Sequence, residues 1–517
     1  MMTQLTDYLN KLERLDLIAR QKLEPELEYA FRHVFTQESV YDSLLLSDRR
    51  QLHQNIGEVL EAALAGELDE GEGPLLLAYH FEQSGDKVRA LKYLRQAAAN
   101  AVRRYANQEA RSLYSRALAL LDPSDYAGRW ELLAGLEKIL DRLGEREQQA
   151  DLLTQMQTLA QLLQDDIRLA RTHNRRAAYF DKISEYQASA EAAEAGLRLA
   201  RRSGNEHLQA QSLNSLALAA WRRFDYSEVQ KWALQALEAL KVVGDPVTRI
   251  ASLFHLGKAG YRLGQYDLAL HYIQAARELA REMDNREGEA TSHLILGWIY
   301  QRLGDYQQAA IHYQAVLDIR RAIGDRYGEA TALSHLGWLA YDRREAQTGL
   351  DYCQKALDIS YSISDRENEA YALSGMGLNY EQLGQLDMAA ASYRAALAIH
   401  QSIGAATLAV FDQAGLARIA LAQGKLDSAG AYIEPVVAWV QAGNAQKFWD
   451  PWIIYRSGYQ VLTAIGDTAN ARAILAEAHI LLHQRAAQIS DPHLRDCFLT
   501  LVPVNREIIE AWQKLQE

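Results

Sequence analysis

Very little cysteine or proline, no long apolar run and no surplus of basic charge mark this 517-residue sequence. Its two cysteines, Cys353 and Cys497, stand far apart, which excludes a disulfide framework and a thiolate metal cluster and fits a reducing compartment. No stretch approaches the roughly 20 consecutive apolar residues of a membrane helix. The opening "MMTQLTDYLNKLERL" lacks the apolar core of a secretory leader, so the expected location is the cytoplasm, with no membrane partner. Lys and Arg number 55 against 67 Asp and Glu, a formal net charge of −12. That balance argues against general binding to nucleic acid, whose phosphates demand a basic face.

Catalytic motifs are also missing. The phosphate-binding pattern G-x-x-x-x-G-K-[ST] occurs nowhere; Gly257-Lys258 and Gly424-Lys425 lack both the upstream glycine and the following Ser or Thr. There is no H-E-x-x-H. His493 and Cys497 are four apart, but nothing near them supplies a third partner or an oxyanion site. "SGMGLNY" (374–380) has two glycines of a dinucleotide fingerprint without the third or a preceding strand, so it reads as helix-packing glycine. His33 and His53 read as residues that hold helices together rather than bind metal. No catalytic residue, metal or cofactor is expected, and the chain is not expected to be an enzyme.

What remains is helical material. Half of the residues are hydrophobic, a quarter charged, and Ala, Leu, Gln, Glu and Arg dominate over strand formers. The chain also repeats. Steps of forty residues from Gly297 land on Gly257, Gly337 and Gly377, and further steps on Ala177, Ala217 and Ala417. Nine residues past these marks lie Tyr186, Tyr226, Tyr266, Tyr306, Ala346, Leu386 and Leu426. Nineteen past them the residues are all Gly, Ala or Val. Small residues let two antiparallel helices approach closely, and the ring at the ninth position is expected to fill the gap near their turn. "GQY" and "GDY" supply a glycine that ends the first helix, and Asp305 can start the next. Gly204, Gly244-Asp245, Gly324-Asp325 and Gly404 punctuate the end of the second, which the spacing makes the longer one. Such pairs cannot bury their apolar faces alone and must stack.

"LGWIYQRLGDYQQA" (296–309) resembles the heart of a tetratricopeptide repeat, with Gly297, Tyr300, Ala309 and Tyr313 on four of its marks. The usual period is 34; forty resembles the elongated variant, with Gly-Asp in place of the closing proline. Looser units continue at 75–98, 105–121 (a second helix of a shortened unit), 136–153 and 455–482, about eleven in all. The resemblance implies an all-α, right-handed superhelical solenoid.

The first sixty residues do not repeat. They read as a helix, two short strands and two helices. Glu28-Tyr29, Phe31-Arg32-His33, Gln37-Glu38, Tyr41, Leu44-Leu45, Arg49-Arg50, Leu52-His53 and Ile56 resemble the winged-helix part that follows the ATPase core of STAND-type regulatory ATPases and leads into a repeat arm. The C-terminal "FLTLVPVNREIIEAWQKL" resembles the end of such arms through Phe498, Val502-Pro503, Asn505-Arg506 and Trp512. The expected organisation is a winged-helix-like segment (1–65), a linker (66–74), the solenoid (75–484) and capping helices (485–517). With no phosphate loop, the resemblance implies a sensor arm apart from its motor, with an NTPase or output domain N-terminal to it or on another chain.

In such solenoids the first helices line the concave face. The inward positions fall three before each mark and one, four and five after it, with a further one two before. They select Asn174, Asn214, Trp221, Arg222, His255, Tyr261, Arg262, Trp298, Arg302, His335, Trp338 and Tyr341. Trp, Tyr and Arg dominate interface hot spots, so the expected partner is a protein or peptide held in the groove. Arg222, Arg262 and Arg302 recur at one phase, either as a cationic ladder for an acidic ligand or as cations balanced internally by Asp or Glu. The alternatives are a small-molecule sensor or a transcription-regulator fragment binding DNA through the winged-helix segment. Arg32, Arg49 and Arg50 alone make a poor phosphate-contacting face.

Overall fold

The computed structural model describes residues 2–22, 28–64, 72–104, 106–445, 448 and 450–517. They fall into two compact units, 1–175 and 176–517.

The first unit opens with α1 (Met2–Arg14) and a hairpin of β1 (Ile18–Lys22) and β2 (Glu28–Phe31), then α2 (Val34–Ser43) and α3 (Leu46–Ala63). The hairpin is antiparallel with Ile18 opposite Phe31 and Arg20 opposite Tyr29. The expected linker lies largely outside the described residues; its last two, Gly73 and Pro74, already open α4 (Gly73–Ser84), where proline's missing N–H costs nothing. Then come α5 (Lys87–Arg103), α6 (Asn107–Leu120), α7 (Tyr126–Leu143), α8 (Arg146–Leu162) and α9 (Asp166–Lys182), whose last turns belong to the second unit. α6 stands alone between the pairs α4/α5 and α7/α8, as the shortened unit requires. His53 takes His80 as its partner, Nδ1 to Nδ1 at 2.9 Å, with the Tyr41 hydroxyl on its other nitrogen at 2.9 Å. His33 instead precedes α2 as an exposed N-cap, so His33 and His53 do not act as a pair.

The second unit is a run of antiparallel helix pairs. The first are α10 (Tyr186–Arg202), which partners α9, α11/α12 (Glu206–Arg222, Tyr226–Val243) and α13/α14 (Pro246–Leu263, Tyr266–Glu282). There follow α15/α16 (Arg286–Leu303, Tyr306–Ala322), α17/α18 (Arg326–Asp342, Ala346–Ile363), α19/α20 (Arg366–Gln382, Leu386–Ser402) and α21/α22 (Ala406–Ala422, Leu426–Gln441). The unit closes with α23/α24 (Pro451–Ala464, Thr468–Ala486), α25 (Pro492–Thr500) and α26 (Pro503–Lys514). The second helix of a pair is the longer one in α11/α12 (17 and 18 residues) and α17/α18 (17 and 18) but the shorter in α13/α14 (18 and 17). Asp225, Asp245, Asp305, Asp325 and Asp365 each cap the following helix by accepting a backbone N–H two or three residues on.

The small marks bring the two helices of a pair together, and the residue that covers a glycine mark lies sixteen positions on. A Cβ on Gly297 would run into the ring of Tyr313, sixteen residues on, and one on Gly337 into the sulfur of Cys353. The Tyr393 ring lies against both Gly377 and Gly415, where an added Cβ would stand 2.7 Å away. Ninth-position residues open the second helices, Tyr226, Tyr266 and Tyr306 among them, and Tyr226 and Tyr266 are buried near the turn beside Trp221 and Tyr261.

The C-terminal helices turn back on the middle of the same unit. Phe498 meets Tyr266 with ring centroids 6.0 Å apart, and the Ser490 amide donates to Asp267 at 2.6 Å. At Gly304 the backbone of Cys497 comes so close that a Cβ would lie 2.9 Å from its carbonyl oxygen.

Candidate functional site

Five successive first helices of the second unit, α11 to α19, and the start of α21 enclose a cavity of about 460 Å³. Trp221, Tyr261 and Arg262, Trp298 and Arg302, and His335 and Trp338 all face it. Seven of the twelve residues selected from the sequence therefore share one space.

The wall is mostly aromatic and its rings fix one another. Trp338 stacks on Tyr371 at 4.7 Å between centroids and 9° between planes, and donates its indole N–H to the Tyr371 carbonyl at 3.3 Å. Phe411 links Trp338 (5.1 Å) to Phe448 (6.0 Å), which closes one side of the cavity. The Trp298 indole donates to His335 Nε2 at 3.1 Å. Indole is a donor only, so Nε2 must accept, and the His335 proton sits on Nδ1, toward the Tyr371 hydroxyl at 3.5 Å. Burial pushes the His335 pKa down to about 3, which keeps the ring neutral, as the Trp298 bond needs. Tyr313 stacks on its other side at 5.3 Å and 14°.

Below the rings lies a charged layer. Arg302, 5% exposed, pairs with Asp450 at 2.8 Å. Tyr313 donates to Gln301 at 2.7 Å, and Gln301 donates to Asp342 at 2.7 Å. Burial raises Asp342 to about 6, against the pull of the Gln301 bond and Arg302.

The recurrent arginines take different partners. Asp181 holds Arg222 through two bonds of 2.8 and 3.0 Å, and Asp450 holds Arg302. Arg262 lies over the rings of Trp221 and Tyr226 at 5.3 and 5.8 Å. The first two follow the internally balanced alternative rather than a ladder open to ligand.

Arg222 and the other four selected residues lie off the cavity wall. Asn214 bridges neighbouring first helices, donating to the Thr248 carbonyl at 3.1 Å and accepting from Ser252 at 2.9 Å. His255 and Tyr341 sit on α13 and α17 but outside the lining, and burial with nearby Lys258 holds His255 down at about 4. Asn174 belongs to the first unit.

The lining crosses the helices on a diagonal. α11 contributes only its C-terminal end (Trp221), α15 its middle and end (Leu294 to Arg302), α17 its first three turns (Tyr327 to Trp338), and α21 only Thr407 and Leu408 at its start. Fixed offsets capture the middle of such a path and miss its ends, hence the unforeseen Glu367, Asn368, Thr407 and Leu408. Lys258 was within reach, being at the same phase as Trp298 and Trp338. Tyr313 comes from a second helix, a source the concave-face rule omits.

Among the described residues no group of three or more His, Cys, Asp or Glu is placed to hold a metal ion. No helix of the described residues is long and apolar enough to cross a membrane. Cys497 approaches His493 at 3.7 Å, but burial raises its pKa and so disfavours the thiolate.

Residues 249–322 and 370–401 match two tetratricopeptide-repeat family models. These two stretches are tetratricopeptide repeats. No curated protein sequence matches it. Among solved structures it is similar to a STAND protein with a tetratricopeptide-repeat sensor from Pyrococcus horikoshii, at TM-score 0.53 and 14% identity. That likeness covers 79% of this chain and 60% of the other, so the chain spans less than two thirds of that protein. It is also similar to the apo form of the quorum sensor NprR from B. thuringiensis, at TM-score 0.50 and 14% identity, over 69% of this chain and 98% of that one. At such identity the likenesses speak to the fold alone: repeating antiparallel helix pairs.

Proposed function

We propose that the chain is a ligand-recognition arm in which the aromatic cavity receives a protein or peptide and reports its capture to a regulatory NTPase. The observation that carries the reading is the convergence of Trp221, Tyr261, Trp298, Trp338 and their neighbours on one enclosed space. Aromatic-lined concavities with a few placed polar groups are the usual form of a binding site. The Pyrococcus horikoshii protein is described as using its tetratricopeptide repeats as a sensor, and the proposal carries that role to this chain. Residues 1–65 then serve as the winged-helix-like junction to the NTPase and 485–517 as the cap. A volume of about 460 Å³ holds one or two residues rather than a folded domain, so a protein or peptide enters by a short segment.

A ligand that binds only the native state raises its melting temperature. Peptide pools are screened by thermal denaturation against the unmodified chain, Leu294→Trp, which fills the cavity, and Trp298→Ala, which removes a wall. Stabilisation of the unmodified chain alone is the expected result. Equal stabilisation of all three would place the site elsewhere.

A further inference from the structure

Lys258 stands apart from every other cation of the cavity. It lines the same space as Trp298 and Tyr261, yet no Asp or Glu pairs with it among the described residues. The influences acting on it are burial and Arg222, and both press its pKa down. Arg222 and Arg302 each have a carboxylate of their own, and Arg262 rests on two rings. Lys258 is half-buried in the cavity wall, and a cation without a counter-charge in such a place gains from a ligand that supplies one. Trp298, Tyr261 and Trp338 line the same space, and aromatic walls of this kind favour contact with another ring. Glu367, on α19, also lines the cavity, and its charge acts on Arg222 rather than pairing with Lys258. One unmatched ammonium balances one negative charge, which suits a carboxylate better than a phosphoryl group with nearly two.

We propose that the cavity takes a ring-bearing carboxylate, with the carboxylate on Lys258 and the ring among Trp298, Tyr261 and Trp338. This rests on the reading of the cavity as the ligand site and adds the chemistry of what enters it. The shared chemistry has two sources, the C-terminal aromatic residue of a peptide and a free aryl carboxylic acid.

The test is calorimetric titration of the full chain with N-acetyl-L-tryptophan and with its neutral isostere, N-acetyl-L-tryptophanamide. The acid is expected to bind at least about tenfold more tightly, a difference of about 1.4 kcal/mol. Lys258→Gln should erase that preference and Lys258→Arg should keep most of it. Because the ammonium is unmatched, ligand-free Lys258→Gln should melt at the same temperature as the unmodified chain or higher. A melting point several degrees lower would make Lys258 a structural residue and overturn the proposal. So would equal binding of acid and amide, no binding of either at millimolar concentration, or tighter binding of phenyl phosphate. Binding abolished by Leu294→Trp but without acid preference overturns the carboxylate assignment alone; binding indifferent to Leu294→Trp overturns the cavity as the site. A tetrapeptide Gly-Gly-Gly-Trp with a free carboxylate separates the sources. Tighter binding than N-acetyltryptophan supports a peptide terminus, and equal binding supports a free acid.

Discussion

Asp342 holds a carboxylate in surroundings that resist its charge. Burial lifts its pKa to about 6, while the Gln301 amide and Arg302 pull it back. A folded-state pKa above the ordinary carboxyl value of 3.8 means that the native chain binds this proton more tightly than the unfolded one. The resulting stability is fully present below about pH 4 and is lost as pH rises through about 6. Asp342→Asn cannot lose a proton there. Its stability relative to the unmodified chain should therefore rise between pH 4 and pH 7, by up to about 3 kcal/mol, read from urea denaturation midpoints at a series of pH values. A difference that stays constant across that range would show that Asp342 does not titrate there. None of this was visible from sequence, where Asp342 is an unremarked acid at a helix end. The same holds for the neutrality of His335: its phase pointed inward, but only the contact with the Trp298 indole decides which nitrogen carries the proton.

The helical elements were largely legible because their signals are local. Gly-Asp and Gly-Gln-Tyr turns end one helix and begin the next through short-range backbone chemistry, and the observed caps fall where those residues stand. Asp305 accepts from the Gln308 amide at 3.1 Å; Asp305→Ala should lower stability by about 1 kcal/mol, measured by chemical denaturation, with Asp305→Asn recovering most of it. Little change in Asp305→Ala would mean that packing alone sets this boundary. One element-level expectation needed refinement. The ninth-position ring does pack near the turn, as buried Tyr226 and Tyr266 show, while the sixteenth-position residue covers the small mark itself, because side chains on a helix lean toward its N-terminus and cover the preceding turn. The second helix is longer in some pairs, such as α11/α12, and shorter in others, such as α13/α14.

On the scale of the whole second unit, the C-terminal return matters most. Asp450 lies just before α23, nearly 150 residues past Arg302, and the two form a pair with side chains 6% and 15% exposed. Asp450→Asn leaves a buried guanidinium without its counter-charge and should cost about 3–5 kcal/mol, seen as a lower denaturation midpoint. Replacing both partners by Met and Leu should recover much of the loss. If the single variant melts as the unmodified chain does, the pair does not hold the C-terminal segment to the repeats.

Sequence alone determined the helical class, the forty-residue period, the turn chemistry and the inner face of the middle repeats. All of these follow from interactions between residues close in the chain or at a fixed spacing. Only the tertiary structure decided which inward residues meet. Successive helix pairs present shifted positions to the same space, so the lining moves from the C-terminal end of α11 to the start of α21. His255, Asn214 and Tyr341 occupy favoured phases on helices that contribute elsewhere along their length. Which cations are neutralised was also a tertiary matter: Asp181 and Asp450 reach Arg222 and Arg302 from about 40 and 150 residues away, and among the described residues no carboxylate pairs with Lys258. Charge pairing depends on distances of a few ångströms across the fold, and no periodicity in the chain encodes them.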